Sequence, residues 1–341
     1  MRVLLVGNPA AHSGKAAERI AHAQTAMQAR GWHAQVQETL PDGRTVPILV
    51  ERLRGDPVDR VVYLGGDGTF AEVAKALMLA GDPPPLGLLP SGTANDQGKS
   101  FGISSSPSKL EWNLDVIEAG HLTQLDVGRV GRLGLDGQVD GMEMVFHSIG
   151  WGMQPDILKR RNTDKAVVSG VPLLREIYRD QAVYAGATLQ ELLASWVEPH
   201  RFDAHLIVDG RELVLEGLTD LIVNATPVYG GMWVLDRDAE PDDGRFEIVA
   251  VRGRREWAQK GLRDLKGITA LDAPLAFFDQ GPSAGIQCSE LKVELVRVGR
   301  EQVRSQIDGE EWLEGTRFML SVLDQKLALV TPAEWVPPWK D

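Results

Sequence analysis

The sequence predicts an α/β domain followed by a mostly antiparallel β domain, and two patterns in its 341 residues support this. In the first third, short β-rich runs alternate with helical patterns, which is typical of βαβ units around a parallel sheet. After residue 126, alternating strands dominate, as in "RFDAHLIVDGRELVLEG" with Asp209-Gly210 as its hairpin turn. The length agrees with two domains, since one domain usually has about 100 to 200 residues.

The N-terminal strands and helices alternate regularly along the chain. The predicted strands cover residues 3–6, 33–38, 60–64 and 86–89, and the predicted helices cover residues 14–30, 45–54 and 69–80. Gly31 and Gly81 follow two of these helices and are typical C-cap residues. Ligands of open parallel sheets bind beyond the carboxyl ends of the strands, so the glycine-rich turns at those ends are candidate binding sites.

The second domain is predicted to begin near residue 128. "GRFEIVAVRG" is a further strand, a long helical pattern covers residues 172–196, and the Pro-rich tail "PAEWVPPWKD" has no regular period. The predicted division is therefore an α/β domain at 1–127, a β domain at 128–330 and an irregular tail at 331–341.

The composition is that of a globular cytoplasmic protein and argues against several other classes. Hydrophobic residues form 43% of the chain and charged residues 25%, which are ordinary values. A formal net charge of -12 argues against nucleic-acid binding, because that affinity depends on Lys and Arg. The single cysteine, Cys288, cannot form an internal disulfide, and no apolar run approaches the roughly 20 residues that span a bilayer.

The opening stretch "LLVGNPAAHSGKA", residues 4–16, resembles a strand and phosphate loop but departs from the P-loop motif twice. Six residues separate Gly7 from Gly14, where the motif has four, and Ala16 occupies the place of the magnesium-binding hydroxyl. If the chain binds a nucleotide, another loop must hold the phosphates.

The stretch "VVYLGGDGTFAEV", residues 61–73, is the strongest local signal for an anion site. A strand leads into Gly65-Gly66-Asp67-Gly68, and a helix is predicted to start at Thr69. Glycines leave backbone N–H groups accessible to an anion at the helix N-terminus. Asp67 would suit this turn if it holds a magnesium ion, or if it accepts a proton or a hydrogen bond from an attacking hydroxyl. The alternative is structural, because Thr69 and Glu72 also form a capping-box pattern.

A second turn of the same type follows the next strand, in "LGLLPSGTANDQGKSFG". Thr93 is predicted as the helix N-cap, with Asn95 and Asp96 in the first turn. Because the carboxyl ends of adjacent parallel strands share one sheet edge, the two turns should lie side by side. Together they predict a cradle for a di- or triphosphate.

These residues resemble the diacylglycerol kinase catalytic domain family, which includes diacylglycerol, sphingosine and ceramide kinases and the bacterial YegS-like lipid kinases. The two glycine turns carry the resemblance, together with Asn8-Pro9 and Gly14-Lys15. Further matches, in the family's order, are "DVG" at 126–128, "VYGGM" at 228–232, "DDGRFEI" at 242–248 and "QIDGE" at 306–310. The resemblance thus extends over nearly the whole chain.

The resemblance implies a three-layer α/β domain of the NAD kinase/diacylglycerol kinase type and a β-sandwich lipid domain, with the active site between them. It also implies ATP as the phosphoryl donor and Mg²⁺ as the metal. With the two turns, the predicted nucleotide-binding residues are Asn8, Thr39, Gly65, Gly66, Asp67, Gly68, Thr69, Glu72, Gly92, Thr93 and Asn95.

The same resemblance implies the catalytic residues. Glu310 matches the family's proposed proton acceptor, and Asp67 would act on the nucleotide through magnesium or on the acceptor hydroxyl. Asp96, Asp126 and Lys15 would complete a charged network around the transferred phosphoryl group.

The family also has a structural magnesium ion, bound by an aspartate and two backbone carbonyls near a D-G turn. By position these are Asp243 and the carbonyls of Glu240 and Arg245. The loop "VLDRDAEPDDG" departs from the family, with Arg237 where proline is usual and with extra acidic residues. A solvated acidic turn is therefore the alternative to a metal site.

The leading hypothesis is an ATP-dependent kinase for diacylglycerol or a related lipid, with ceramide or a sphingoid base as other acceptors. An NAD kinase-like enzyme with a soluble acceptor and a non-catalytic nucleotide or lipid sensor are the alternatives. The protein would reach the lipid by peripheral contact with the inner face of the membrane. For the oligomeric state, a homodimer is one of the alternatives. Apolar residues within 149–196 are either an acyl-chain pocket or ordinary core, and "LKRRN" at 158–162 either meets anionic headgroups or is solvated.

Overall fold

The structure is a computed structural model that describes residues 1–9, 15–156, 158, 201–231, 233–253, 256, 276–277, 285–297, 302–337 and 339. The predicted helix at 172–196 lies outside these residues, as do most of "LKRRN" and most of the candidate acyl-chain pocket. The loop at 10–14 and the side chain of Lys15 also lie outside them.

The first sheet contains the predicted N-terminal strands. Its members are β1 (Arg2–Gly7), β2 (His33–Glu38), β3 (Arg60–Gly65), β4 (Leu86–Pro90), β5 (Leu122–Leu125) and β21 (Leu327–Val330). The described strands lie in the order β2-β1-β3-β4-β21-β5, and all neighbouring pairs are parallel except β21 and β5.

Helices cover both faces of this sheet. They are α1 (Lys15–Ala29), α2 (Thr45–Gly55), α3 (Asp67–Ala80), α4 (Asp96–Ser100) and α5 (Leu110–Ala119). Successive side chains of a strand point to opposite faces, so Val3 and Leu5 of β1 pack with α1 and α5, whereas Leu4 and Val6 pack with α2 and α3. Both faces are buried, which explains the near-continuous apolar strands and confirms the three-layer prediction.

Two antiparallel sheets form the second part of the molecule. One has the order β10-β9-β17-β20-β6-β7 and the other the order β16-β14-β11-β8-β18-β19 among the described strands. The first comprises β6 (Gly128–Leu133), β7 (Val139–Val145), β9 (Phe202–Val208), β10 (Arg211–Leu218), β17 (Glu290–Val296) and β20 (Arg317–Val322). The second comprises β8 (Ser148–Gly152), β11 (Asp220–Asn224), β14 (Phe246–Val251), β16 (Gln287–Cys288), β18 (Ser305–Ile307) and β19 (Glu310–Glu311).

One apolar core joins the two antiparallel sheets. Its largest fully buried members are Trp151 from β8, Phe246 from β14 and Phe318 from β20, and the rings of Trp151 and Phe318 lie 5.2 Å apart. Side chains from both sheets therefore meet in one layer, as in a β-sandwich. The predicted class of an α/β domain with a second, antiparallel β domain is confirmed.

The last strand crosses the predicted division of the chain. β21 lies between β4 and β5 in the first sheet, although the sequence placed residues 327–330 with the second domain. Leu327, Leu329 and Val330 are fully buried in the first domain's core. The boundary near residue 127 stays a prediction, whereas this strand belongs with the first sheet.

The Pro-rich tail contacts the region where the two parts of the chain meet. Trp335 packs on Gly102, which follows α4, and Trp339 packs on Val228 and Val234. These valines belong to the short strands β12 (Val228–Tyr229) and β13 (Trp233–Val234), which form a small sheet with β15 (Ala276–Phe277). The described part of the tail has no regular secondary structure, yet two of its tryptophans are packed against the rest of the protein.

Candidate active site

The two glycine turns lie side by side, as the sequence predicts. β3 and β4 are parallel neighbours that align Gly65 with Pro90, and the Ser91 N–H donates to the Gly65 carbonyl at 2.7 Å. A Cβ atom on Gly92 would overlap Gly66, so only glycine allows this approach. The contact places two sets of backbone amides at one edge of the sheet, where an anion can bind.

Helix α3 starts earlier than the sequence predicts. It begins at Asp67, and its N-cap is Gly66, which has no side chain that could cap the helix. The capping-box interpretation of Thr69 and Glu72 is therefore wrong. The pKa of Glu72 is raised mainly by burial and further by the charge of Glu310, whereas Thr45 lowers it. The amides of the first turn of α3 are thus left for a ligand.

Asp67 has one engaged and one free carboxylate oxygen. Its Oδ2 accepts the Asn95 backbone N–H at 2.9 Å, which ties the first turn to the second. Its Oδ1 is buried and has no hydrogen-bond partner among the described residues. A buried oxygen without a donor is costly, so this atom fits a ligand such as a magnesium ion or a substrate hydroxyl.

The second turn is closed by Asn95 rather than by Thr93. Helix α4 begins at Asp96, and its N-cap Asn95 has φ 54°, in the left-handed region that asparagine tolerates. The Asn95 side chain accepts the Gly92 N–H and donates to the Gly92 carbonyl, both at 2.7 Å. The prediction of Thr93 as the N-cap is wrong, and Thr93 is left exposed on the turn.

Asp96 connects the first domain to the "VYGGM" segment. Its carboxylate accepts the Gly230 N–H at 2.9 Å and the Gly231 N–H at 2.5 Å. The side chain is 5% exposed. Burial raises the pKa of Asp96 to about 6, and the nearby His147 and Lys99 oppose this rise. The two domains thus meet at a buried carboxylate beside the phosphate cradle.

Lys99 is a site residue that the sequence did not predict. It lies one helical turn after Asp96, donates to the Gly231 carbonyl, and its pKa is lowered by burial. The charges of Asp96 and Asp67 oppose that shift. The i, i+3 spacing from Asp96 was the available signal, but only the fold shows that the entire helix is buried.

Glu310 reaches the first glycine turn from the second domain. A Cβ atom on Gly68 would lie 3.7 Å from Glu310 Oε1, and Glu310 also influences the charge state of Glu72. The hairpin that carries Glu310 is held by Asp308, whose carboxylate accepts the N–H of His147 at 2.8 Å and of Ser148 at 3.0 Å. The structure therefore brings Glu310 and Asp67 to the same turn.

Asp126 lies with the acidic loop. Its Oδ2 accepts the Gly244 N–H at 2.6 Å, its backbone N–H donates to the Pro241 carbonyl at 2.7 Å, and its Oδ1 lies 2.9 Å from Lys326 Nζ. The residue is fully buried. The first two contacts fasten the 241–244 loop, and none of the three is with Asp67, so a role at the phosphoryl group stays a prediction.

The candidate metal loop is closed by its own hydrogen bonds. Asp243 Oδ1 accepts the Arg245 N–H at 2.9 Å, and Asp243 Oδ2 pairs with Gln287 Nε2 at 3.1 Å. No three His, Cys, Asp or Glu side chains among the described residues are arranged to hold a metal ion. The predicted site, which also uses the carbonyls of Glu240 and Arg245, stays a prediction.

The remaining nucleotide candidates lie along the same sheet edge. Asn8 follows β1, and Thr39 follows β2, where its N–H donates to the Gly7 carbonyl at 2.9 Å. These positions continue the edge formed by the two glycine turns, since β2, β1, β3 and β4 are successive neighbours.

The N-terminal part of the chain is similar to a known protein family. Residues 2–130 match the family model described as the diacylglycerol kinase catalytic domain, which confirms the resemblance found in the sequence. A diacylglycerol kinase of Staphylococcus aureus (strain MRSA252) is 29% identical over 129 residues, which are 38% of this chain and 40% of that protein. A Pseudomonas fluorescens protein named "Probable lipid kinase YegS-like" is 37% identical over 114 residues, or 33% of this chain and 36% of that protein. The chain spans about half or less of the length of the curated relatives it matches.

Solved structures share the fold over almost the whole chain. A crystal structure of a Bacillus anthracis protein provisionally assigned as a diacylglycerol kinase has a TM-score of 0.70 at 19% identity and covers 98% of both chains. Yeast NADH kinase complexed with NADH has a TM-score of 0.51 at 12% identity, covering 98% of this chain and 84% of that one. At these identities the likeness shows the fold alone. Among the described residues, no helix is both long and apolar enough to span a bilayer.

Proposed function

We propose that this chain, whose residues 2–130 belong to the diacylglycerol kinase catalytic domain family, is an ATP-dependent lipid kinase. It transfers the γ-phosphoryl group of ATP to the hydroxyl of diacylglycerol or a related lipid, in the cleft between the two domains. One observation carries the proposal. Glu310 from the second domain lies against the glycine turn in which Asp67 Oδ1 is buried without a hydrogen-bond partner in the part of the chain that the structure describes.

The residues of the cleft meet the needs of phosphoryl transfer, which are positioning and charge neutralisation. Gly66, Gly68 and Gly92 expose backbone amides to the phosphates of the nucleotide. Asp67 holds the magnesium ion of Mg-ATP or accepts a bond from the attacking hydroxyl. When bound, that ion neutralises phosphate charge.

Glu310 takes the proton from the lipid hydroxyl as the new P–O bond forms, while the bond between the γ-phosphorus and the bridging oxygen of ATP breaks and ADP leaves. Its position on a hairpin of the second domain means that the proton acceptor and the phosphate cradle come from different domains. Correct placement of the two domains is therefore a condition for transfer. Asp96, which bonds the Gly230 and Gly231 amides across the domain junction, fixes that placement.

The acceptor within the lipid class is proposed from the family resemblance alone. Diacylglycerol, ceramide and sphingoid bases each offer a hydroxyl beside long chains, and the nucleotide half of the site is the same for all of them. The lipid is met by peripheral contact with the inner face of the membrane by a cytoplasmic protein, and a homodimer is compatible with this proposal.

The rival proposal is a kinase with a soluble acceptor. Its support is the fold shared with yeast NADH kinase, which extends over 98% of this chain. An assay with labelled ATP, magnesium and a panel of diacylglycerol, ceramide, sphingosine, glycerol and NAD separates the two. Label on a lipid alone supports the lipid kinase, and label on NAD alone supports the rival. Mg-ATP that neither is consumed nor raises the melting temperature would contradict both.

The proton acceptor has a matched control in the same hairpin. We expect Glu310→Gln and Asp67→Asn each to lower the transfer rate by at least roughly 100-fold with the fold retained. Glu311→Gln, which changes the neighbouring exposed glutamate, should stay within about threefold of the unmodified rate. Near-normal turnover of Glu310→Gln would remove that residue from the mechanism.

A further inference from the structure

His147 lies where three parts of the site meet. It connects β7 to β8 and is 5% exposed. Its Nε2 lies 2.7 Å from the Val228 carbonyl and 3.7 Å from Asp96 Oδ2. Its ring stacks on Tyr229, with centroids 5.7 Å apart and planes inclined by 29°. The imidazole therefore contacts Val228 and Tyr229, and the two residues that follow them donate hydrogen bonds to Asp96.

The backbone around His147 holds the hairpin of Glu310. Asp308 Oδ1 accepts the His147 N–H at 2.8 Å, and Asp308 Oδ2 accepts the Phe146 N–H at 3.1 Å. Asp308 has φ 51° and precedes Gly309 and Glu310 in a tight turn. His147 thus contacts Asp96 through its side chain and contacts the turn that carries Glu310 through its backbone.

The charges around the imidazole are mostly negative. Asp96 faces it from α4 and Asp308 from the hairpin before β19, and both carboxylates are buried. The charge of His147 lowers the pKa of each, against the rise that burial causes. Tyr229 from β12 stacks on the imidazole. The charges of Lys99 and Asp67 also affect the pKa of Asp96, which Lys99 lowers and Asp67 raises.

We propose that His147 is a positioning residue of the site, whose imidazole keeps Asp96 ionised against the Gly230 and Gly231 amides while its backbone fixes the turn that carries Glu310. The functional consequence rests on the proposed kinase activity, whereas the contact between His147 and Asp96 does not. His147 touches no reacting atom, and its effect on transfer passes through Asp96 and Glu310.

His147→Gln tests the imidazole, because glutamine keeps a hydrogen-bond donor but cannot carry a positive charge beside Asp96. The primary measurement is an NMR titration of the Asp96 carboxyl in aspartate-labelled protein without any substrate. An opposite charge within about 4 to 6 Å shifts a pKa by roughly one unit or more, so the Asp96 midpoint should move up by at least about one pH unit. His205→Gln, an exposed histidine of β9, is the matched control and should leave the midpoint unchanged.

The kinetic measurement adds a readout that a structural role would not change. The acidic limb of kcat/KM should move to higher pH in His147→Gln, with at least roughly a twofold loss at pH 7 and almost no loss at pH 9. An equal loss at every pH, or an unmoved Asp96 midpoint, overturns the proposal. If the glutamine variant does not fold, His147→Phe keeps a ring on Tyr229 and is measured in the same way. A moved midpoint in a protein that phosphorylates no lipid would overturn the kinase proposal and leave the role of His147 intact.

Discussion

Asp96→Asn should stabilise the protein at neutral pH and abolish its activity. Burial raises the pKa of Asp96 from 3.8 to about 6, so the folded chain binds this proton more tightly than the unfolded chain. The group therefore contributes stability below pH 3.8 that is lost as the pH rises through about 6. A difference of about two units corresponds to about 3 kcal/mol at pH 8.

Asparagine resembles the neutral carboxyl at every pH. It keeps an oxygen for one of the Gly230 and Gly231 amides and loses the other bond, a pH-independent cost of about 1 kcal/mol. The net gain should therefore be about 2 kcal/mol at pH 8, with almost no net difference near pH 4.5. The unmodified protein is less stable than Asp96→Asn by this amount at pH 8, because it keeps a buried charge between its domains.

Urea unfolding between pH 4.5 and 8.5 measures the effect. The midpoint is the quantity to compare, because two domains need not unfold in one step. Asp82→Asn, which changes an exposed carboxylate, is the control and should show no comparable pH-dependent gain. A stability difference between Asp96→Asn and the unmodified protein that is the same at pH 5 and pH 8 would refute the reasoning.

Three further predictions concern other parts of the molecule. Gly102→Ala should cost about 2 kcal/mol in urea unfolding, because φ is +74° and a Cβ would overlap the Trp335 ring; an unchanged midpoint would contradict that packing. Glu247→Gln should gain stability over the unmodified protein between pH 4.5 and pH 9.5, since burial raises the pKa of Glu247 from 4.5 to about 8 and the stability that its carboxyl contributes at low pH is lost as the pH rises through about 8. An equal difference at both pH values in the same urea assay would refute this. Asp308→Asn should lower the transfer rate roughly tenfold by loosening the Glu310 turn, with Mg-ATP affinity unchanged in calorimetry; weaker ATP binding would instead place Asp308 at the nucleotide.

The strands of the first sheet could be predicted because their signals are local. β2 has the predicted limits, and β1, β3 and β4 differ by one or two residues, since each is an apolar run that ends at a turn residue. The start of α3 was harder. Asp67 takes helical conformation directly after the glycines, and the side-chain pattern at Thr69 and Glu72 suggested a later start.

The contacts that the sequence missed join residues that lie far apart in the chain. Asp96 and Gly230 are 134 positions apart, and His147 and Asp308 are 161 apart. Neither pair has a spacing that a helix or a hairpin would impose, so only the fold can bring them together. Lys99 shows the same limit, because its importance comes from the complete burial of a five-residue helix.

The position of β21 has a consequence for how the protein is made. This strand fills the place between β4 and β5, yet about 200 residues separate Leu125 from Leu327. At roughly 5 to 20 residues per second, a ribosome needs about 10 to 40 s to supply it after β5. During that interval the apolar edge of β4 has no partner, and such edges promote aggregation. We expect the nascent chain to depend on chaperones at this stage, and a fragment of residues 2–130 to be poorly soluble unless residues 327–330 are supplied with it.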